Sequence, residues 1–198
     1  MTQHGLERVV AAARARRQPD QTCELCATPI PDRHAHLLDN QQHTIVCACI
    51  ACSLLFAEQP EPMAQPRQYR LIPRHRRRLR QVPVDLLGVP VGLAFFIRRD
   101  DGTVLAHYPS PAGATQWAVD AAAWAEVLCR CPEVASVLQE VEALLVNTAR
   151  GRQDFWILPV DDCYRLVAVV RREWRGLSGG SRVWPEIDRF FDELTERH

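Results

Sequence analysis

The chain has 198 residues, 47% of them hydrophobic and 24% charged, and its 24 basic residues balance 24 acidic ones. That length suffices for one ordinary domain plus a module too small to make its own core. No apolar run nears the roughly 20 residues that span a bilayer, formal neutrality argues against a nucleic-acid or membrane partner, and the absence of lysine excludes Schiff-base and Walker-type lysine chemistry.

The chain starts MTQHGLERVVAAARARRQPD, where Leu6, Val9, Val10 and Ala13 recur at helical spacing, so a docking helix is expected over residues 3–17. No apolar export segment is visible there, and we expect a cytoplasmic protein. Eight cysteines in such a chain point to metal or redox chemistry rather than to a disulfide framework. Five of them fall between Cys23 and Cys52, in a stretch with too little apolar material for a core of its own. A metal must therefore organise the first segment, 1–58, as a zinc-ribbon/treble-clef-like module. Three prolines in AEQPEPMAQPRQ, followed by seven arginines in RQYRLIPRHRRRLR, are expected to form a linker over 59–83.

The remainder, 84–198, reads as an α+β domain. Two β-type runs flank Asp100-Asp101-Gly102, a hairpin signal. Helical composition follows from Trp117 to Cys129, and Pro132 opens a short helix. EALLVNTA and DFWILPV read as strands joined by an Arg-Gly-Arg turn. Asp161 or Asp162 is expected to cap a helix reaching Arg175, and Ser181 another that places Ile187, Phe190, Phe191 and Leu194 on one face. The order predicts an antiparallel sheet packed with helices on one side. LSGGS, Leu177 to Ser181, resembles an ABC-type signature, but without a GxxxxGK[ST] loop it is a glycine-rich connection.

Cys23-x2-Cys26 and Cys49-x2-Cys52 are two knuckles separated by 22 residues. In a tight knuckle both sulfurs face one point, and two knuckles supply the tetrahedral S4 shell that Zn²⁺ accepts. Cys47 is the alternative to Cys49 as third ligand, because two residues apart in an extended strand the thiols share a face. His34 and His36 could support the site, replace a thiol or bind a second ion. Iron in a rubredoxin-like electron carrier is the rival metal. The glycines that open rubredoxin knuckles are absent from CELCATP and CIACSLL, which favours zinc. Cys129, Cys131 and Cys163 are expected to be structural, and Asp100-Asp101 and Asp161-Asp162 to serve turns and caps.

CELCATPIPDRHAHLLD, VCACIACSLLF, VPVGLAFFIR, HYPSPAGAT, LPVDDCYRLVAVVR and WRGLSGGSRVWPEIDRFF together resemble a family of similar-length proteins encoded near high-affinity [NiFe]-hydrogenase genes. The resemblance spans nearly the whole chain and departs at the arginine-rich segment 74–84. It implies an accessory protein for hydrogenase assembly, maturation or modulation, with a hydrogenase subunit or maturation factor as protein partner. No catalytic residue carries over.

We therefore expect a zinc-binding, non-enzymatic protein that acts by protein–protein interaction. Trp174, Ser178, Gly179, Gly180 and Trp184 are its candidate partner contacts, aromatic anchors around a small-residue loop. An HNH-like treble-clef nuclease is the enzymatic alternative, but SLLFAEQ after Cys52 holds neither the Asn nor the His such a site needs. A nucleic-acid-binding zinc protein, using the arginines of 67–80, is the third reading.

Overall fold

A computed structural model describes residues 21–57, 68–89, 92–175 and 181–196. The helix expected over 3–17 lies outside them. The chain divides into two compact units at Leu71/Ile72.

In the first unit, a bridge between Thr22 and Pro29 closes the loop that carries the first knuckle. A hairpin follows, β1 (Ala35–Asp39) and β2 (Thr44–Ala48), antiparallel with His36 opposite Cys47. The Asp39 carboxylate turns the chain by accepting the amides of Gln41 and Gln42 at 2.8 and 3.0 Å. A short helix, α1 (Ile50–Leu54), leaves β2 at once, and β3 (Tyr69–Leu71) pairs with β1 to give the order β2-β1-β3. The apolar core is Cys23, Ile30, Ala35, Leu37 and Ala48 with partly buried neighbours. Few large side chains are among them, so hydrophobic burial alone supplies little against the entropy of ordering this unit.

The second unit is a six-stranded, fully antiparallel sheet. Its strands are β4 (Arg77–Leu79), β5 (Leu93–Arg98), β6 (Val104–Ser110), β7 (Gly113–Ala118), β8 (Glu142–Asn147) and β9 (Asp154–Pro159), in the order β4-β9-β8-β5-β6-β7. Three α-helices accompany it, α2 (Ala121–Arg130), α3 (Val160–Glu173) and α4 (Val183–Glu196), with α4 packed against α3. Successive strand residues point to opposite faces, so Phe95 and Phe96 report on the two layers. Phe96 packs on Trp124 of α2, whereas Phe95 meets Tyr164 of α3. Helices therefore cover both faces of the sheet, not one. The unalternating runs of β8 and β9, buried at every residue, are what two-sided burial requires.

Several expectations change in detail. Residues 68–83, assigned to the linker, contain both β3 and β4 and the buried Ile72 and Val82. Backbone pairing and these apolar residues order the stretch despite its charge. PSPAGAT continues into β7, an edge strand whose side chains are half-exposed, so α2 starts at Ala121 behind an Asp120 N-cap. The hairpin at Asp100-Asp101-Gly102 is present, with Gly102 at φ 84 and the Asp101 carboxylate accepting from the Thr103 amide. Helix α3 begins directly from β9 at Val160, with Pro159 in the cap position and Asp161 and Asp162 in the first turn. Ile187, Phe190, Phe191 and Leu194 are all buried on α4.

Candidate metal centre

The first knuckle is a turn fixed by backbone hydrogen bonds. The Cys23 amide donates to the Thr28 carbonyl at 2.8 Å and the Ala27 amide to the Cys23 carbonyl at 2.7 Å, with Ala27 at φ 59 in the left-handed region. The Glu24 amide donates to the Cys47 carbonyl at 2.9 Å, and the Glu24 carboxylate accepts from the Cys47 amide. These two bonds moor the knuckle to β2.

The second pair is built differently. Cys49 is extended (φ −71°, ψ 163°) and caps α1, its sulfur accepting from the Cys52 amide at 3.4 Å. One turn of helix brings Cys52 round to the same side. Knuckle, hairpin and helix in that order give the treble-clef arrangement, since a ribbon would place the second pair in another hairpin turn.

The two halves converge. The sulfurs of Cys23, Cys26, Cys49 and Cys52 all lie within 4.8 Å of one another, and Cys26 and Cys49 are 3.7 Å apart. A tetrahedral ion with metal–sulfur bonds of about 2.3 Å separates its sulfurs by about 3.8 Å. The four thiols are free and not paired as disulfides. The donor set fits a metal ion such as zinc, held by four sulfurs with no coordination position left over.

Proton sharing within the cluster points the same way. Burial pushes the Cys23 thiol up, but the amides of Cys49, Leu25 and Cys26 outweigh it and hold the group at about 6. The Thr28 hydroxyl, 3.3 Å from the Cys26 sulfur, and the Thr28 amide pull Cys26 down as well. Cys52, whose proton is shared first with Cys49 and then with Cys26, is pushed up to about 12. Adjacent sulfurs cannot all be anions unaided, so one keeps a proton that a divalent cation would displace.

Cys47 stands apart from this set. It groups instead with His34 and His36, whose ligating atoms and its sulfur lie within 4.8 Å of one another. The cause is register: β1 and β2 place His36 directly opposite Cys47. That grouping escapes sequence reasoning, because the spacing of HxH and CxC says nothing about which residues a hairpin pairs.

The other candidates are dispersed. Cys129 is exposed while Cys131 is buried, its thiol 3.5 Å from the Glu133 carboxylate, so the CxC does not converge. Cys163 is buried on α3, where desolvation raises its pKa well above the usual range. Trp174 ends α3 half-buried, and Trp184 lies under the Arg150 guanidinium at 5.8 Å. Ser178, Gly179 and Gly180 lie outside the described residues.

The arginine-rich segment is partly committed within its own unit. Arg76 meets the buried Asp162 at 2.6 Å, Arg78 meets the buried Asp154 at 3.1 Å and lies over the Trp156 ring, and Arg77 bonds the Ser136 hydroxyl. His75 reaches the buried Glu142 at 2.9 Å. Buried carboxylates need such partners, and these contacts account for much of the basic run. Unit two also holds a cavity of about 410 Å³ whose lining includes Asp85, Arg130 and Thr148. No helix among the described residues is long and apolar enough to cross a membrane.

Residues 22–198 match a protein family described as "Family of unknown function (DUF5947)". No curated protein and no solved structure matches the chain.

Proposed function

The chain belongs to that family, and we propose that it is a zinc-binding accessory protein that works by holding a protein partner and catalyses nothing alone. The observation that carries this reading is the convergence of Cys23, Cys26, Cys49 and Cys52, four sulfurs within 4.8 Å. A closed S4 shell orders a fold and leaves no position for substrate, in contrast to catalytic zinc with three protein ligands. Zinc is preferred to iron because Ala27 stands where an iron-type knuckle has glycine.

Protein contact is supported by the surface of α1. Ile50, Leu54 and Leu55 are exposed to 70%, 66% and 70%, although the unit has few apolar residues to spare. Large apolar groups clustered beside a structural site suit a protein interface. On unit two we retain Trp174, Ser178, Gly179, Gly180 and Trp184 as a second contact region. The partner class follows from the sequence resemblance alone: a [NiFe]-hydrogenase subunit or maturation factor, met in the cytoplasm. Use of the arginine-rich segment on nucleic acid is disfavoured by the carboxylates that already engage Arg76 and Arg78.

The test is affinity capture with the full chain from a host making the hydrogenase, followed by mass spectrometry. The wild type should recover a hydrogenase subunit or maturation factor, and Ile50→Asp/Leu54→Asp should lose it. Cys49→Ser, which breaks the shell, should lose both zinc and capture. Recovery of DNA or RNA without protein, or metal-dependent nicking of DNA by the pure chain, would overturn the proposal.

A further inference from the structure

We infer that His34, His36 and Cys47 form a second metal site, separate from the four-sulfur shell, that binds a divalent transition-metal ion and leaves one position open. Three observations support it independently of the first site.

The first is placement. His36 and Cys47 are directly opposite in the β1–β2 register, where Cβ atoms come within about 4.5–5.5 Å. Ala35, Leu37 and Ala48 belong to the unit's core, and Val46 and Cys47 are both partly buried against it. By alternation the side chains of His36 and Cys47 leave the hairpin on a shared face. Two residues of chain then bring His34 beside His36, and all three ligating atoms lie within 4.8 Å.

The second is separation. The Nε2 atoms of His34 and His36 are 3.1 Å apart, joined by a ring-to-ring hydrogen bond that a shared ion would replace, with the rings edge to face at 90°. Two imidazoles on one tetrahedral ion, with metal–nitrogen bonds of about 2.0–2.1 Å, hold their nitrogens about 3.3 Å apart. The rings are thus within a few tenths of an ångström of chelating geometry.

The third is tautomer. His34 Nδ1 lies 2.9 Å from the Pro31 carbonyl oxygen, which can only accept. The neutral ring therefore carries its proton on Nδ1 and presents an Nε2 lone pair to the cluster. A backbone carbonyl holding Nδ1–H is the support that metal-ligating histidines use.

Two imidazoles and one thiolate suit borderline ions such as Zn²⁺, Co²⁺ or Ni²⁺. Three protein ligands leave the fourth position to water. The first unit would then hold two ions of different character, one sealed by four sulfurs and one exchangeable.

The probe is Co²⁺, added to full-length protein already loaded with one equivalent of Zn²⁺. A second ion should bind, giving tetrahedral d–d bands and a thiolate-to-cobalt band of the strength of one sulfur. Cys47→Ser should remove the thiolate band, and His36→Gln and His34→Gln should each weaken Co²⁺ binding by about 10- to 100-fold or more. Native mass spectrometry should show the first Zn²⁺ retained in every variant. Should a variant shed that Zn²⁺, ¹⁵N spectra of the wild type decide the matter. The Nε2 signals of His34 and His36 should shift with a second equivalent of Zn²⁺, while the Nδ1 proton of His34 persists. Absence of a second ion, unmoved histidine nitrogens, or a cobalt signal unchanged in all three variants would overturn the inference.

Discussion

Ala27 occupies backbone space that glycine would fill more easily. At φ 59 it follows the first knuckle, and its amide closes the turn on the Cys23 carbonyl. A non-glycine residue there costs on the order of 1–2 kcal/mol, part of which glycine would return through a freer unfolded chain. Ala27→Gly should therefore stabilise the zinc-bound first unit by about 0.5–1 kcal/mol, measured as a shift in its chemical unfolding midpoint. Destabilisation would show that the turn is not strained. At this scale the clustering of Cys23, Cys26, Cys49 and Cys52 was legible, because each CxxC fixes its own two sulfurs locally. The choice between Cys47 and Cys49 was a matter of geometry. Cys49 caps α1 and turns towards Cys52, whereas Cys47 is one residue short of the strand's end and faces His36.

Edge strand β4 is the element whose role departs most from its composition. A tract with arginine at 74, 76, 77, 78 and 80 reads as solvated, yet Arg77–Leu79 pairs with β9, Arg78 within it meets Asp154, and Arg76 just before it meets Asp162. Arg76 is held in its charged form by the Asp162 hydrogen bond. Removing it leaves Asp162 buried with the longer 3.4 Å contact to Arg165 as its remaining ion pair. Arg76→Met should thus cost about 3 kcal/mol in urea unfolding of the second unit, and Arg76→Met/Asp162→Asn should recover part of it. Equal losses in the single and double variants would remove the ion pair from the account. Long apolar strands were legible at this scale: LAFFIR, EALLVN and DFWILP all became central strands. The same runs lack alternation, as burial on both faces requires, although helices were expected on one side alone. Short strands were not legible, since Tyr69–Leu71 and Gly113–Ala118 are specified by their partners β1 and β6 rather than by their own composition.

For the whole molecule the central contrast is between a unit rich in apolar packing and one poor in it, whose four clustered cysteines could hold a metal ion. Unit two buries Trp156, Phe95, Phe96, Phe191 and many aliphatic residues, while the core of unit one is five small to medium side chains. Chelation should consequently raise amide hydrogen exchange across 21–57 and leave the strands of 93–159 protected. Uniform exchange of both units would mean that they fold as one cooperative body. Beneath this contrast lies the assignment of the shell itself. X-ray absorption at the zinc edge, on full-length protein carrying one equivalent of zinc, tests it most directly. The account predicts four sulfurs at about 2.3 Å with no nitrogen or oxygen in the shell. A mixed nitrogen–sulfur shell at that stoichiometry, or failure to retain the ion, would contradict it.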